Sequence, residues 1–224
     1  MDISVIIPVL NEEKVIERNL RDLNKYLITE TIVSDGGSND ATVVIAGSYA
    51  KVVHSKPGRG AQMNFGAKAA ASDILLFLHA DTTLPDQWRD RILSSMADDG
   101  VVGGAFSLSI DSDRLSHRII AATANLRSRL TKLPYGDQGI FVKRSVFEKI
   151  GGFKDIQIME DVDLMRRLKK SGKVVILDDK VKTSARRWEK EGVAYTTIRN
   201  WLLLTLYFMG VTPERLYKLY NAVR

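Results

Sequence analysis

Short apolar runs alternate with helical repeats through the first eighty residues of the chain. Four runs predict strands at residues 3–9, 31–35, 51–54 and 74–78. The run after Asn11 instead predicts an amphipathic helix, which Asn11 caps and which reaches about Leu27. Its apolar residues at helical spacing are Val15, Ile16, Leu20, Leu23 and Leu27. Strands that alternate with helices are typical of an α/β domain with a Rossmann-like, mostly parallel central sheet flanked by helices.

Further elements follow in the second part of the chain. We predict helices at 61–71, from Pro85 to 96, and over 113–130, and a helix that begins at Ser38 or Asn39. We also predict strands at 101–110, at 173–177 and at 182–185, and a glycine loop at 136–139 that leads into a strand. A helix starts near Met159, and two more cover 193–209 and 213–223. Because no repeat or flexible linker interrupts this pattern, we expect one domain, 1–224, with a helical C-terminal tail.

Composition limits the cellular compartment and the kinds of binding partner that we expect. The chain has no Cys and no apolar run of about 18 residues, and it does not begin with a basic segment. We therefore expect a cytoplasmic protein. Residues 143–224 carry 18 Lys or Arg against 10 Asp or Glu, which favours an anionic partner. Without a zinc-finger, RNP-like or Arg/Gly pattern, we expect no nucleic acid.

The stretch 72–85, S-D-I-L-L-F-L-H-A-D-T-T-L-P, holds the first candidate site. Its buried strand ends in His79 and Asp81, and ligands of open α/β sheets bind beyond the carboxyl ends of strands. Asp81 is a candidate ligand for a divalent cation that bridges phosphates. An isolated H-A-D is more often a simple polar turn.

No glycine loop of the P-loop or dinucleotide type follows the first strand. A bound diphosphate would therefore need a cation on Asp81 with help from Arg or Lys. Asp35, at a strand end, is a candidate acceptor for a base N–H or a ribose hydroxyl. Arg59, between Gly58 and Gly60, is a candidate to lie along the base. Each of these residues also fits a simple turn.

Three further groups of residues have two interpretations each. Glu160, Asp161 and Asp163 begin a helix and either face the cleft or merely complement the helix dipole, and we expect Asp163 at the surface. Asp137 and Gln138 contact a ligand or form a turn. Trp188 is a stacking platform for a ring of the ligand or a core residue. The apolar block 201–209 packs in the core, forms a dimer face, or touches a membrane with Arg186, Arg187, Lys190 and Arg199.

Seven motifs together resemble the family 2 glycosyltransferases of the GT-A fold. They are V-I-I-P-V-L-N-E-E (5–13), V-S-D-G-G-S-N-D (33–40), G-R-G-A-Q-M-N (58–64), L-F-L-H-A-D (76–81), G-D-Q-G-I-F-V (136–142), M-E-D-V-D-L (159–164) and S-A-R-R-W (184–188). They occur in the expected order over most of the chain. The chain also resembles a bacterial subgroup described as radical-SAM/selenodomain-associated, or arsenosugar-linked, transferases.

The resemblance implies transfer of a sugar from a nucleotide-diphosphate donor, with inversion and with Mg²⁺ or Mn²⁺ bound. It implies a nucleotide-binding half at 1–110, an acceptor and catalytic half at 111–190 and a tail at 191–224. Asp161 would be the general base and Asp81 the metal ligand. The residues expected at the nucleotide are Pro8, Leu10, Glu12, Asp35, Arg59 and His79. Those expected at the acceptor or diphosphate are Asp137, Gln138, Glu160, Arg187 and Trp188.

Two positions depart from the family pattern: His79 replaces the first Asp of D-x-D, and Ser184 replaces the Gln of Q-x-x-R-W. A neutral imidazole still forms hydrogen bonds or ligates a metal, but one carboxylate fewer predicts weak cation binding before the donor arrives. The sequence therefore predicts an inverting glycosyltransferase, with a UDP-sugar as the favoured donor and an unidentified acceptor, either anionic or lipid-linked. Peripheral attachment to the inner membrane face and a homodimer remain open. The alternatives are a catalytically weak nucleotide-sugar-binding protein and a nucleotidyltransferase.

Overall fold

The computed structural model describes residues 1–26 and 30–222, which build one α/β domain around a single sheet. Its strands are Ile3–Val9 (β1), Thr31–Asp35 (β2), Lys51–His54 (β3), Ile74–Phe77 (β4), Thr82–Thr83 (β5), Val101–Asp111 (β6), Ile140–Lys143 (β7) and Lys173–Ser184 (β8). Their order across the sheet is β3-β2-β1-β4-β7-β6-β8-β5. The first four run parallel, and β7 is antiparallel to its neighbours β4 and β6. The predicted alternation of strand and helix is confirmed.

Helices connect the strands and cover both faces of the sheet. They are Glu13–Leu23 (α1), Thr42–Gly47 (α2), Arg59–Ala69 (α3), Trp88–Met96 (α4), Leu115–Thr131 (α5), Arg144–Lys149 (α6), Glu160–Ser171 (α7), Arg186–Glu191 (α8), Val193–Phe208 (α9) and Pro213–Ala222 (α10), with a 3₁₀ turn at Gly136–Gln138. None of the helices in the described ranges is long and apolar enough to cross a membrane.

Alternate residues of β1 and β4 pack into two different cores, because successive side chains of a strand point to opposite faces. Ile74 and Leu76 lie in the core formed with α1 and α4. Leu75 and Phe77 lie in the core formed with α3 and α7. This double burial explains why the strand is continuously apolar rather than alternating.

The start of the first helix differs from the sequence prediction. Asn11 does not cap it: the backbone of Asn11 is left-handed, with φ 55°, and its side-chain oxygen accepts a hydrogen bond from the N–H of Asn39 at 2.8 Å. The hydroxyl of Thr42 instead accepts the N–H of Glu12 at 2.8 Å. Helix α1 ends at Leu23, and Leu27 lies outside the described residues.

Other boundaries differ as well. The two short strands expected at 173–177 and 182–185 are one strand, because β8 follows β6 through a register shift and the hydroxyl of Ser107 donates to the carbonyl of Leu177 there at 2.7 Å. Helix α2 begins at Thr42 because the preceding loop is tied to Asp35 and Asn11. The short helices α6 and α8 were not expected. The predicted end of the last helix at Val223 lies outside the described residues.

Candidate active site

The carboxyl ends of the parallel strands meet at one edge of the sheet, as the topology predicts. The N–H of Gly36 donates to the carbonyl of Val9 at 3.0 Å, and the N–H of Ser55 donates to the carbonyl of Asp35 at 2.8 Å. These bonds join the loops that follow β1, β2 and β3. A long polar edge is thereby held together by the backbone.

The loop that carries Asp81 is fixed from two sides. The side-chain amide of Asn19, on α1, donates to the carbonyls of His79 and Ala80 at 3.1 and 2.9 Å. The guanidinium of Arg186 lies 3.1 Å from the carboxylate of Glu12 and 3.8 Å from that of Asp81. Burial raises the pKa of Asp81, although Arg186 and Arg187 oppose the rise. Glu12, which the sequence predicts at the nucleotide, pairs with the guanidinium of Arg186 beside Asp81.

The start of α7 aims Asp161 at the glycine turn. Met159, the residue before the acidic pair, has a left-handed backbone with φ 66°, a costly conformation for a residue other than glycine. The N–H of Gly136 donates to one carboxylate oxygen of Asp161 at 2.7 Å, and the N–H of Val162 donates to the other at 2.7 Å. The carboxylate is therefore held in one orientation before any ligand binds.

These residues line one cavity of about 190 Å³. Seven residues that the sequence predicts for the site contribute to its wall: Arg59, His79, Asp81, Asp137, Asp161, Arg187 and Trp188. A Cβ placed on Gly136 would lie 2.9 Å from the ring nitrogen Nε2 of His79 and 3.5 Å from the carboxylate of Asp161. Only glycine fits where these two side chains converge.

The cavity changes the protonation of its groups. Burial, together with the nearby charges of Arg59 and Arg187, lowers the pKa of His79 to about 3, so the ring is neutral at physiological pH. Burial raises the pKa of Asp137 to about 6, and the carboxylate of Asp161 adds to the rise. The Oδ1 atom of Asp137 is buried without a hydrogen-bond partner among the described residues. Titratable groups with such shifts are frequent at functional sites.

Arg59 lines the cavity, and its guanidinium pairs with the carboxylate of Glu160 at 3.0 Å. Burial raises the pKa of Glu160, which is 3% exposed, although Arg59 opposes the rise. The two flanking glycines serve the fold at this point. Gly58 has φ 123°, and a Cβ on Gly60 would lie 2.7 Å from the carbonyl of Lys154.

Other candidate residues lie apart from the cavity wall. Gln138 is fully buried, and its amide binds Ser128, the N–H of Tyr135 and the carbonyl of Phe106. No part of Gln138 is therefore accessible to an acceptor, and the turn interpretation fits it better. Asp35 is 2% exposed. Burial alone would raise the pKa of Asp35, but hydrogen bonds from Ser38 and Gly37 hold it below its usual range.

Pro8 and Leu10 lie close together at the end of β1 but differ in exposure. Pro8 is buried in the strand, whereas Leu10 is 45% exposed just beyond it. Asp163, expected at the surface, is buried and lies 2.7 Å from Arg167 and 3.0 Å from Lys154. That expectation is wrong, because α7 packs this side against the preceding loop.

Part of the cavity wall was missed from the sequence. It consists of Tyr135, Gln157, Ile158, Met159, Asn200, Leu203 and Tyr220, among others. Asn200, Leu203 and Tyr220 come from α9 and α10, so the helical tail closes the site. Leu203 also packs with Val162 and Leu216. Asn200, a polar residue directly before the apolar block 201–209, is the sequence signal that could have pointed to this role.

The cavity offers hard oxygen donors to a divalent cation. Asp81 and Asp137 both line it, and the buried Oδ1 atom of Asp137 has no hydrogen-bond partner among the described residues. Within the described ranges, no three or more His, Asp or Glu side chains form a ready metal cluster. The residues therefore fit a cation that takes one or two carboxylates from the protein and the remaining ligands from phosphate and water, as Mg²⁺ commonly does.

Comparison with known proteins identifies relatives for most of this chain. Glycosyltransferase AglE of Haloferax volcanii is 28% identical over 185 residues, which cover 67% of this chain and 55% of the relative. Glucosyl-3-phosphoglycerate synthase of Mycobacterium tuberculosis is 34% identical over 96 residues, 37% of this chain and 30% of the relative. The chain thus spans about half, or less, of the length of these curated relatives.

Solved structures share the fold. Residues 1–349 of S. aureus TarS, in complex with UDP-GlcNAc, match with a TM-score of 0.65 and 19% identity over 82% of this chain and 58% of theirs. The M. tuberculosis glucosyl-3-phosphoglycerate synthase, in complex with Mn²⁺, UDP and glucosyl-3-phosphoglycerate, matches with a TM-score of 0.63 and 20% identity. That match covers 90% of this chain and 78% of the synthase. The GT-A fold expected from the motifs is confirmed.

A family model gives the membership directly. The model described as Glycosyl transferase family 2 matches residues 4–151, which include the strand ends, the glycine loop around Arg59 and the His79–Asp81 loop. Since this match covers well over half of the chain, the chain belongs to glycosyl transferase family 2.

Proposed function

We propose that this protein transfers a sugar from a UDP-sugar to a hydroxyl group of an acceptor, with inversion at the anomeric carbon. The observation that carries the proposal is one cavity, beyond the strand ends, that holds Asp81, Asp137 and Asp161 together with Arg59 and Arg187. Related proteins with the same fold support the donor class, since the solved complexes contain UDP-GlcNAc or UDP. The domain halves at 1–110 and 111–190, with the tail at 191–224, are part of the proposal.

Asp161 is the proposed general base. In an inverting transfer the acceptor hydroxyl attacks opposite the departing diphosphate, and a carboxylate within about 2.6–3.2 Å takes its proton. The two backbone N–H groups that bind Asp161 fix its direction. A base held rigidly in this way loses little entropy when the acceptor arrives.

The leaving diphosphate is stabilised by the positive side of the cavity. Arg187 lines the wall, and Arg186 lies beside Asp81. Asp81 and Asp137 would hold Mg²⁺ or Mn²⁺, which, when bound, supplies Lewis-acid stabilisation of the phosphate oxygens. His79 remains neutral beside them and offers one donor and one acceptor nitrogen.

The nucleoside is proposed to lie at the strand edge near Pro8, Leu10, Glu12 and Asp35, with Arg59 and His79 between it and the cavity. Uracil is the favoured base because its N–H and carbonyl groups match a carboxylate and a guanidinium. Competition binding should rank UDP ahead of GDP and ADP. A clear preference for GDP would contradict this assignment.

The experiment that tests the function separates catalysis from binding. Asp161→Asn preserves the size of the side chain but removes its basicity, so kcat should fall roughly 10²–10⁴-fold while UDP affinity changes only a few-fold. Asp81→Ala should remove the Mn²⁺-dependent part of UDP binding in calorimetry. Asp90→Asn, on α4 and away from the cavity, is the matched control and should change neither quantity.

Rival interpretations give other results. If Asp161→Asn remains active and Asp137→Asn does not, Asp137 is the base, and kcat should rise with pH through about 6. Glu160 is a weaker rival because Arg59 neutralises it. If the protein binds a UDP-sugar but neither transfers the sugar nor hydrolyses the donor when metal is added, it is a sugar-nucleotide-binding protein. Release of pyrophosphate would indicate a nucleotidyltransferase. The arsenosugar-linked subgroup, the cytoplasmic location and the homodimer stay predictions.

A further inference from the structure

Two helices beside the cavity expose apolar residues in stripes. On α5 these residues are Leu115, Ile119, Leu126 and Leu130. On α9 they are Ile198, Trp201 and Leu202, and Met209 follows directly after this helix. Each is more than half exposed, and their spacing keeps each stripe on one side of its helix. We call these eight residues the α5–α9 face. Large exposed apolar patches commonly mark sites of interaction.

Positive charges predominate on and beside these helices, although two of the arginines lie close to exposed carboxylates. Neither α5 nor α9 contains an Asp or Glu, whereas α5 carries Arg118, Arg127 and Arg129. Exposed Arg114 precedes α5, and Lys132 follows it. Arg129 pairs with Asp178, and Arg118 lies 3.9 Å from the exposed Asp113. An apolar stripe bordered by Arg and Lys is complementary to an anionic lipid surface.

Three of the four cations expected from the sequence for membrane contact are used elsewhere, and the fourth, Lys190, is exposed on α8. Arg186 and Arg187 belong to the candidate active site. Arg199 is buried, 2.6 Å from Glu191. The basic border of the apolar surface therefore comes from α5, far from these residues in the sequence.

A second cavity adjoins the catalytic cavity on the side of α5 and α9. It has a volume of about 50 Å³, lies between α5 and α9 and is lined by Ile120 and Ala124 on one side and by Thr197 and Trp201 on the other. It shares Tyr135, Asp137, Trp188 and Asn200 with the catalytic cavity. Trp201 belongs both to the second cavity and to the α5–α9 face. The second cavity therefore lies between the exposed Trp201 and the catalytic cavity.

The side chain of Arg127 lines the second cavity beside Tyr135, which lines both cavities. The guanidinium of Arg127 lies 3.5 Å over the ring of Tyr135 and thus faces the ring. Its Nε and Nη2 atoms, and the hydroxyl of Tyr135, are buried without a well-aligned hydrogen-bond partner among the described residues. Buried donors of this kind are costly unless a ligand satisfies them. Asp137, in the same cavity wall, supplies part of the charge opposite Arg127, and an anionic group of the ligand would satisfy the remaining donors.

We propose that the α5–α9 face rests on an anionic bilayer and that the acceptor is an anionic amphiphile. Its apolar tail lies between α5 and α9, its anionic group binds Arg127 and Tyr135, and its hydroxyl reaches the cavity that contains Asp161. This inference rests on the proposed function, because it names the acceptor class of the same site. The lipid surface is the one occupant to which it commits.

Flotation of the full chain with vesicles tests the surface. The protein should float with phosphatidylcholine vesicles that contain phosphatidylglycerol and much less with phosphatidylcholine alone. The pairs Leu126→Ser with Leu130→Ser and Ile198→Ser with Leu202→Ser should each lower vesicle affinity by more than about tenfold. Val44→Ser, at a residue that is 77% exposed on α2, is the control and should bind like the unaltered protein. Equal binding by all variants, or no binding to either vesicle, overturns the proposal.

Calorimetry with dodecyl phosphate, below its micelle concentration, tests the second cavity. Dodecyl phosphate should bind more tightly than inorganic phosphate or dodecyl maltoside, because only it combines a tail with an anion. Arg127→Gln should weaken dodecyl phosphate binding about tenfold or more and leave dodecyl maltoside unchanged. Equal binding of inorganic phosphate would indicate a soluble anionic acceptor, and equal binding of dodecyl maltoside would exclude the anion subsite. Either result contradicts the proposal.

A parallel titration with UDP and Mn²⁺ keeps the two proposals apart. Intact UDP binding without vesicle binding refutes only the membrane inference. Vesicle binding without UDP binding refutes the proposed glycosyltransferase and the acceptor class with it, and leaves only the contact with the bilayer. Sedimentation velocity measures the oligomeric state. If the protein is a dimer that the paired serine substitutions dissociate, and it does not bind vesicles, then the α5–α9 face contacts a second copy of the chain and the bilayer proposal is wrong.

Discussion

Asp137 gives the sharpest test of the electrostatics of the site. Burial raises its pKa from 3.8 to about 6, and Asp161 contributes to the rise while Arg127 opposes it. A carboxyl group with a raised pKa holds its proton more tightly in the folded protein than in the unfolded chain. Its contribution to stability is therefore complete below about pH 3.8 and is lost as the pH rises through about 6.

Asp137→Asn removes this dependence on pH. A tenfold change in proton affinity corresponds to about 1.4 kcal/mol, so the rise in pKa corresponds to roughly 2–3 kcal/mol between pH 4 and pH 8. Relative to the unaltered protein, the variant should gain this amount of unfolding free energy on going from pH 4 to pH 8. For a chain of this length the gain corresponds to about 5–10 °C in Tm.

Thermal unfolding followed by circular dichroism at both pH values measures the effect. The control is Asp113→Asn, because the carboxylate of Asp113 is fully exposed, and its Tm difference should not depend on pH. If Asp137→Asn shifts Tm equally at pH 4 and pH 8, then the carboxylate is not buried against Asp161. The charge arrangement derived for the cavity would then be wrong.

Three further predictions concern Asp163, His79 and Gly66. Asp163→Asn should lower the free energy of unfolding in urea by roughly 2–4 kcal/mol, because it leaves the Arg167 guanidinium without its carboxylate; a loss below about 0.5 kcal/mol would contradict the buried pair. The ring signals of His79 in NMR should not titrate between pH 5 and 8, since its pKa is about 3, and a midpoint in that interval would show an open, uncharged environment. Gly66→Ala should cost about 1–3 kcal/mol, because its Cβ would lie 2.5 Å from Ile6, whereas Gly47→Ala meets no atom within 4 Å and should be neutral or slightly stabilising; equal effects in urea unfolding would refute the packing argument.

The parallel half of the sheet and the residues at its strand ends follow from local patterns in the amino-acid sequence. Apolar runs and helical repeats are local signals, and the topology of alternating strands and helices brings the carboxyl ends of the strands to one edge. These signals single out His79 and Asp81, and the motif at 159–164 adds Asp161. Their convergence with Arg187 and Trp188 in one cavity agrees with that expectation.

The partner that each polar side chain takes is set by tertiary packing instead. Arg59 pairs with Glu160 about a hundred residues later, and Gln138 uses its amide on Ser128 and Phe106 inside the fold. The tail supplies part of the cavity wall, and the second cavity between α5 and α9 exists only because these two helices lie side by side. Periodicity reports whether a residue faces a core or the solvent, but partners distant in the chain are chosen by packing and by the need to satisfy buried charge, which no local pattern encodes.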